Sequence, residues 1–536
     1  MMAKIRTIKT ARKRSFGNKV NGERDCCCSA ILLPYKQTES MKREFSGILC
    51  NFYMAALTVL LPLYTRGTYV MLGDSKYVLF RNVSLLCLGL GGAAALAGFP
   101  ERFKERSLRY AGLSPTDIGM LCYGGCAVIS ALCSSYGITA WTGFREWYMG
   151  ALSQIIFVGI YFLFSRQYRG SAWTIYLWEA AFFTVVLLGF CSRLGRDPLG
   201  LMRDYNSRDW EYSHLISTVG NINWFCGYCA VALAMPVAGY LKSRSRKKAL
   251  ALYAVSVSGL ILLCIQGSDV GLVLAAACLG VCLFWARRNV TVFGRTMLLA
   301  AGMAFGLPCY CGLVRLLGDN ALRALPADGP GLSVLGWTGW WLLGAACIGL
   351  YFLLRWQGSR DAVVKGVWLG TVILSAAVLA VGTAMYLTRI SGSEGWVNGR
   401  GALWRLAWQG FLRGSWKQKL LGAGPDCFAE YIYSAFRPEE LISTEGYWAE
   451  AVFANAHNQW LNHLVNIGLL GLCSAAGLYA AALRRYRLSL PGMLAVIMYG
   501  VNSLVSFQQV LSTPLFFLML GICEYQMRRQ AQKNTE

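Results

Sequence analysis

Long apolar runs separated by short polar breaks fill the chain from residue 46 to residue 527, and the pattern is interrupted once, over almost seventy residues from Arg389 to His457. Runs of about twenty apolar residues can cross a bilayer core of about 30 Å. Inside lipid the backbone must satisfy its own hydrogen bonds, so each run predicts a helix. No stretch shows the short alternating strands of a membrane β-barrel. The pattern predicts about fourteen spans, near 46–65, 78–98, 118–136, 149–164, 173–191, 222–241, 249–266, 270–286, 295–314, 333–354, 366–387, 459–482, 491–507 and 511–526. The expected organisation is a tail (1–45), spans one to eleven (46–387), a large loop (388–457), spans twelve to fourteen (458–527) and a second tail (528–536). No internal repeat of fixed period is visible, and 320–332, with its Pro and Gly residues, reads as a loop.

Composition fits this all-α polytopic membrane reading. The chain is 56% hydrophobic and 15% charged, against about 25% charge in a soluble protein. A net charge of +24 would suit a nucleic-acid binder, but its placement argues for orientation in a membrane instead. Arg102-Phe-Lys104-Glu-Arg106, Arg166 with Arg169, Lys242 to Lys248, Arg287-Arg288 and Arg484-Arg485 all fall in even-numbered short loops. With a cytoplasmic N-terminus those loops lie inside, as basic loops do. The 388–457 loop then lies outside, and its seven Lys or Arg against seven Asp or Glu show no basic bias.

The first 45 residues hold eleven Lys or Arg and no apolar core, so they are not a cleavable signal peptide. They read as a disordered cytoplasmic tail suited to anionic headgroups. Nearly all of the twenty cysteines lie in apolar runs, where Cys acts as a small hydrophobe. Cys26-Cys27-Cys28 reads as a reduced cluster without further ligands, and Cys427 alone in the large loop excludes a disulfide framework there.

A site outside the cell has no ATP, so chemistry there must use a pre-activated substrate or a gradient. A sugar carried on a polyprenyl pyrophosphate needs a cation for the pyrophosphate, a base for the acceptor hydroxyl and a groove for the lipid. Arg400 can grip phosphate oxygens bidentately and keeps its charge; it can equally be a surface Arg. It precedes an amphipathic helix in which Trp404, Trp408, Phe411 and Leu412 share one face, and Arg405, Gln409 and Arg413 form a solvated or headgroup-facing stripe on another. His457 stands where the loop re-enters the membrane, followed by Asn458. An imidazole takes a proton near neutral pH, although a boundary His bonded to a loop carbonyl is the plainer reading. His463 lies about 120° further round the expected helix and reads as structural, as does His214. Gly468 and Gly471, one turn apart, predict close approach of another helix. Gly422-Ala423-Gly424-Pro425 lacks the Lys-Ser/Thr of a phosphate loop and reads as a turn. Asp426, Glu430, Glu439, Glu440, Glu445 and Glu450 could include a general base, although most read as solvated carboxylates.

Three motifs together resemble the O-antigen ligase and O-antigen polymerase superfamily of bacterial membrane glycosyltransferases. His457-Asn458, nine residues, then Gly468-x-x-Gly471 fits the ligase pattern without a gap. Arg400-x-x-x-Trp404, followed by Leu421-Gly422-Ala423-Gly424-Pro425 and Phe428, is similar to the opening of the family's large periplasmic loop. Ser217-Thr218-Val219-Gly220-Asn221-Ile222-Asn223 resembles the start of a middle span. The likeness covers roughly 190–480. Ligases commonly place an Arg directly after a Ser on an earlier span; here the corresponding pair is Ser268-Asp269.

The resemblance implies a GT-C-type helical fold in the bacterial inner membrane, with the large loop capping an extracytoplasmic site. It implies inverting, metal-independent transfer of a glycan from undecaprenyl pyrophosphate to a hydroxyl of a glycan or lipid acceptor, without a cofactor. His457 would be the base and Arg400 the pyrophosphate group. Asn458, Trp404, Arg405, Asn221, Asn223 and Asp269 would bind substrate. Other envelope polysaccharide synthesis proteins are conceivable partners, and nucleic acid is not. The competing readings are a lipid-linked glycan flippase, which would carry short outer loops and polar residues within spans, and an envelope scaffold with a degenerate site.

Overall fold

The computed structural model describes residues 44–97, 112–206, 209–287, 289–326, 331–356, 365–366, 368–371, 400–442 and 452–535. The expected N-terminal tail with Cys26-Cys28, most of expected span eleven, the first part of the large loop, Glu445 and Glu450 lie outside the described residues.

Apolar runs become helices in chain order. They are α1 (Glu44–Leu63), α2 (Tyr69–Leu96), α3 (Pro115–Cys133), α4 (Ala151–Gln167), α5 (Ala172–Arg193), α6 (Ile222–Lys242), α7 (Arg246–Ile265), α8 (Val270–Ala286), α9 (Val290–Leu317) and α10 (Leu332–Leu353). The large loop contributes α11 (Arg400–Arg413) and α12 (Phe428–Ala435). The C-terminal part holds α13 (Gln459–Asn466), α14 (Gly468–Arg485), α15 (Leu490–Asn502) and α16 (Thr513–Thr535). Eight of the helices, α1, α2, α3, α5, α6, α7, α9 and α10, are long and apolar enough to cross a membrane; α4, α8 and α15 are apolar but shorter. The chain is thus mostly helical and multi-pass.

One small piece of sheet was not expected. Leu215–Ile216 pairs antiparallel with Gly220–Asn221 at the head of α6. It is a hairpin stitched to its surroundings: the Ser217 hydroxyl donates to Val185 O at 2.7 Å, Thr218 Oγ1 to Pro62 O at 2.8 Å, and the Tyr69 hydroxyl to Ser217 O. The expected 320–332 loop is entered through a short helix, Asp319–Arg323, and Leu332 already belongs to α10.

Helix α3 packs on α14, α4 on α16, α9 on α10, and α6 on α15. A Cβ at Gly119 of α3 would lie 3.0 Å from Leu478 Cα of α14, which is how two backbones come this close. Ionised groups mark one end of the bundle: Arg166 pairs with the buried Asp117 at 3.0 Å, and Arg485 with the buried Glu524 at 3.0 Å. Gln154, at the start of α4, lies about 18 Å of helix rise from Arg166 and belongs to the other end, where the large loop packs.

Expected span twelve is not one helix. It breaks at Ile467, between α13 and α14, where Gly468 adopts φ +69°. The cause is the Gly422 turn: a Cβ at Gly468 would meet Leu420 O at 2.3 Å, and one at Gly422 would meet Asn466 O at 2.2 Å. Gly468 therefore seats the loop backbone rather than another helix, and Gly471 faces its own Ile467. Left-handed backbone alone costs an L-residue about 1–2 kcal/mol, and the clash adds to it. Gly468→Ala is expected to lower the thermal midpoint of detergent-purified protein by several degrees. Gly477→Ala, on the same helix with open space around it, should leave the midpoint unchanged.

Candidate functional site

The large loop caps the bundle through backbone and side-chain bonds. Ala423 N donates to Val465 O at 2.9 Å and Gly424 N to Asn466 O at 2.8 Å, so the Gly422–Pro425 turn lies along the end of α13. Ser130 and Ser134 at the end of α3 donate to Asn466 O and Ala423 O at 2.9 and 2.5 Å. Helix α11 turns Leu403, Leu406, Ala407 and Gly410 inward. The expected apolar face is therefore mostly the outer one: Trp408 and Leu412 are half exposed and Trp416 is 80% exposed. The small inner residues let α11 approach α12, and a Cβ at Gly410 would lie 2.9 Å from Ile432 Cδ1. The outward Trp and Leu side chains suit a headgroup layer. Arg413 is not a lone headgroup cation, since it forms a two-pronged pair with Glu440 at 2.6 and 3.0 Å.

Arg400 opens α11 and is buried. Its Nη2 donates to Asn223 Oδ1 at 3.3 Å, and the Ser268 hydroxyl donates to the same oxygen at 3.0 Å. Asn223 thus receives a cation from the loop and a hydroxyl from the turn before α8, and its carboxamide is oriented by both. Three segments distant in sequence meet there. Asp269 is the residue after Ser268 and is half-buried. Asn221 caps α6, its Oδ1 accepting from Asn223 N at 2.8 Å. Its oxygen builds the helix start that presents Asn223.

His457 stands on the other side. It precedes α13 rather than lying on it, with φ +45°. A non-glycine residue in left-handed backbone persists only where its surroundings impose it, and such residues gather at functional sites. Two neighbours impose it here. Asn455 Oδ1 accepts from His457 N at 2.9 Å, and Asn458 Oδ1 caps α13 by accepting from Trp460 N and Leu461 N at 3.0 and 3.1 Å. The Asn458 oxygen is thus occupied in shaping the turn. The His457 ring packs edge-on against Phe507, with centroids 5.1 Å apart.

Burial, and then the positive charge of Arg400, push the His457 imidazole down to about 3. The ring is therefore neutral at physiological pH, as a proton acceptor must be. Because Arg400 disfavours the imidazolium, removing it should raise the value. A carbon-13 NMR titration of histidine-labelled protein is expected to show His457 neutral down to pH 5, and titrating higher in Arg400→Ala.

Two further groups stand beside the candidate site. Asp426, one of the loop carboxylates that could include a general base, is buried, and its Oδ2 accepts from Phe144 N at 2.8 Å and Met149 N at 2.9 Å. Burial pushes its carboxyl up to about 7, against the pull of those two N–H groups. Gln508 belongs to a closed ring of bonds. Tyr123 OH donates to Gln154 Oε1 at 2.7 Å, Gln154 Nε2 to Gln508 Oε1 at 2.9 Å, and Gln508 Nε2 back to Tyr123 OH at 2.9 Å. The ring ties α3 and α4 to the 503–512 connection, which is buried from Ser506 to Ser512 and carries Phe507. His463 lies in this polar layer, bonded to the Gln459 carboxamide at 3.2 Å and lining a cavity of about 30 Å³ with Asp426, Asn455 and Asn466.

The structure thus brings Arg400 and Ser268 together on one Asn223 oxygen, and the positive charge of Arg400 adds to burial in disfavouring the His457 imidazolium. Trp404 is half-buried one turn after Arg400. Arg405 is exposed on the outer side of α11, away from the buried Arg400. His214 is buried beside Ser213, in the hairpin region.

Residues 335–476 match the family model described as O-antigen ligase. The match contains Arg400, the Gly422 turn, His457 and Gly468, and it supports the resemblance to the O-antigen ligase and polymerase superfamily. No curated protein matches the chain.

Proposed function

We propose that this protein is a GT-C-like membrane glycosyltransferase of about fourteen spans, an O-antigen ligase or surface-polysaccharide polymerase. It moves a glycan from undecaprenyl pyrophosphate to an acceptor hydroxyl on the extracytoplasmic side of the bacterial inner membrane. The observation that carries this reading is the convergence of Arg400 and a neutral His457 under a loop cap, with the Arg400 guanidinium steered by Asn223.

In the proposed reaction the acceptor oxygen attacks the anomeric carbon while the bond from that carbon to the pyrophosphate oxygen breaks, with inversion. The bonding pair leaves on the pyrophosphate, and His457 takes the hydroxyl proton. Arg400 faces the growing negative charge of the leaving group, and stabilisation aimed at developing charge is often the largest catalytic contribution. The same charge couples the two groups. Burial and, added to it, the charge of an unliganded Arg400 hold His457 at low basicity. A bound pyrophosphate offsets that charge and raises the imidazole's basicity when the acceptor hydroxyl is in place. Asp269 beside Ser268 adds no cation, so in this reading the leaving group is met by Arg400.

Reconstituted protein supplied with a polyprenyl-pyrophosphate oligosaccharide and candidate acceptors tests the reading. The expected products are free polyprenyl pyrophosphate and a lengthened or newly attached glycan with inverted anomeric configuration. Movement of the intact lipid-linked glycan between leaflets without any transfer would replace this reading by the flippase one.

A further inference from the structure

Trp147 stands between the two halves of the site. Its indole meets the ring of Trp224, the residue after Asn223, edge-on at 5.7 Å, and the ring of Phe507 edge-on at 4.8 Å. Phe507 is the ring that packs on His457. One half-buried side chain therefore touches a neighbour of the Arg400–Asn223 pair and a neighbour of the candidate base.

The loop that carries Trp147, between Ile138–Thr142 and α4, is tightly folded. Glu146 and Tyr148 have φ of +77° and +53°, and a Cβ at Gly143 would lie 2.5 Å from Met149 N. Such backbone holds only when its surroundings over-determine it. Two anchors do so. Tyr148 stacks on Tyr77 at 4.2 Å and donates to Asp74 Oδ1 at 2.9 Å. Asp426, reaching in from the large loop with φ +62°, accepts both Phe144 N and Met149 N on one carboxyl oxygen. The bonds to Asp426 bracket Trp147, three residues after one and two before the other. Neither candidate catalytic group touches Asp426 in any of these bonds.

We propose that Asp426 is a positioning residue for the transfer reaction and acts through Trp147. Its carboxyl holds the 143–150 loop against the cap, and Trp147 then fixes the spacing between the Arg400–Asn223 side and His457. This inference rests on the transferase reading above.

The test compares reconstituted wild type with Trp147→Ala, Trp147→Phe, Asp426→Ala and Asp426→Asn, measuring kcat, the KM for donor, the thermal midpoint, and amide exchange at Phe144 and Met149. Misplacing reacting groups by about 1 Å can cost about 10²-fold, so Trp147→Ala and Asp426→Ala should lose about that much kcat while KM for donor stays within about threefold. Asp426→Asn keeps an acceptor oxygen for both N–H groups, and Trp147→Phe keeps a ring; both should recover to within about tenfold of wild type. Exchange at Phe144 and Met149 should speed up in Asp426→Ala and not in Asp426→Asn. Wild-type kcat in Trp147→Ala, or a loss confined to KM, overturns the positioning role and leaves the transferase reading standing. Asp426→Asn as damaged as Asp426→Ala overturns the hydrogen-bond basis. If Asp426→Ala does not fold, the Asn variant and the two Trp147 variants decide the question. No transfer by wild type with any acceptor fells the transferase reading, and this role with it.

Discussion

His457→Ala is expected to lower kcat for glycan transfer by about 10²–10⁴-fold, the range for loss of a positioned general base, while the protein stays folded. The fold does not depend on the imidazole. Asn458 caps α13 and Asn455 accepts the His457 backbone N–H, and both survive the substitution. Alanine is strained at φ +45°, as histidine is, so the backbone cost is similar in the two proteins. The ring's edge contact with Phe507 is lost, which is worth about 0.5–1.5 kcal/mol at most for an aromatic pair. A loss of activity far beyond that, with a thermal midpoint within a few degrees of wild type, assigns the effect to chemistry. His463→Ala should instead lower stability more than rate, because His463 is bonded to Gln459 and packs against Tyr123.

Arg400→Ala should be the second large loss, about 10²–10³-fold in kcat, the scale for removing one preorganised donor to developing charge. Arg400→Lys is expected to recover little. A lysine carries the charge but not the planar fork, and in the proposed reaction the fork would let one nitrogen bond Asn223 while others face the pyrophosphate. Asn223→Ala tests the same point from the other side. It leaves the charge in place and removes the oxygen that steers it, so its loss should be smaller than that of Arg400→Ala. It should also be shared with Ser268→Ala, since the two side chains act on one carboxamide.

The positions of the helices were legible because apolar run length maps directly onto helices. The runs at expected spans one to ten all become helices, and helices also begin within a few residues of the expected starts of spans thirteen and fourteen. Eight helices among the described residues are long and apolar enough to cross a membrane. Span twelve misled because Gly468 looks like a helix-packing glycine in sequence. Only the Leu420–Gly422 backbone lying against it reveals a break. Arg400 and His457 stood out because both are polar residues at the edges of a loop that interrupts the pattern. The bonding of Arg400 and Ser268 to one Asn223 oxygen is a tertiary fact, made from three distant segments. The anchoring by Asp426 was hidden because a lone Asp in a polar loop looks solvated. Its partners are the backbone N–H groups of Phe144 and Met149, which lie almost three hundred residues away and carry no side-chain signature. The amphipathic character of α11 was legible, but the inner face of Leu403, Leu406, Ala407 and Gly410 was not, because it is set by the close approach of α12.

Single-turnover release of polyprenyl pyrophosphate, with acceptor present, tests the joint action of Arg400 and His457 most directly when wild type, His457→Ala, Arg400→Ala and the double variant are compared in lipid. Groups that serve one transition state are strongly non-additive. Each single variant should therefore slow release by about 10²-fold or more, with the double variant no more than about tenfold below the slower single. Wild-type rates in both single variants would contradict the assignment and place the chemistry on other residues.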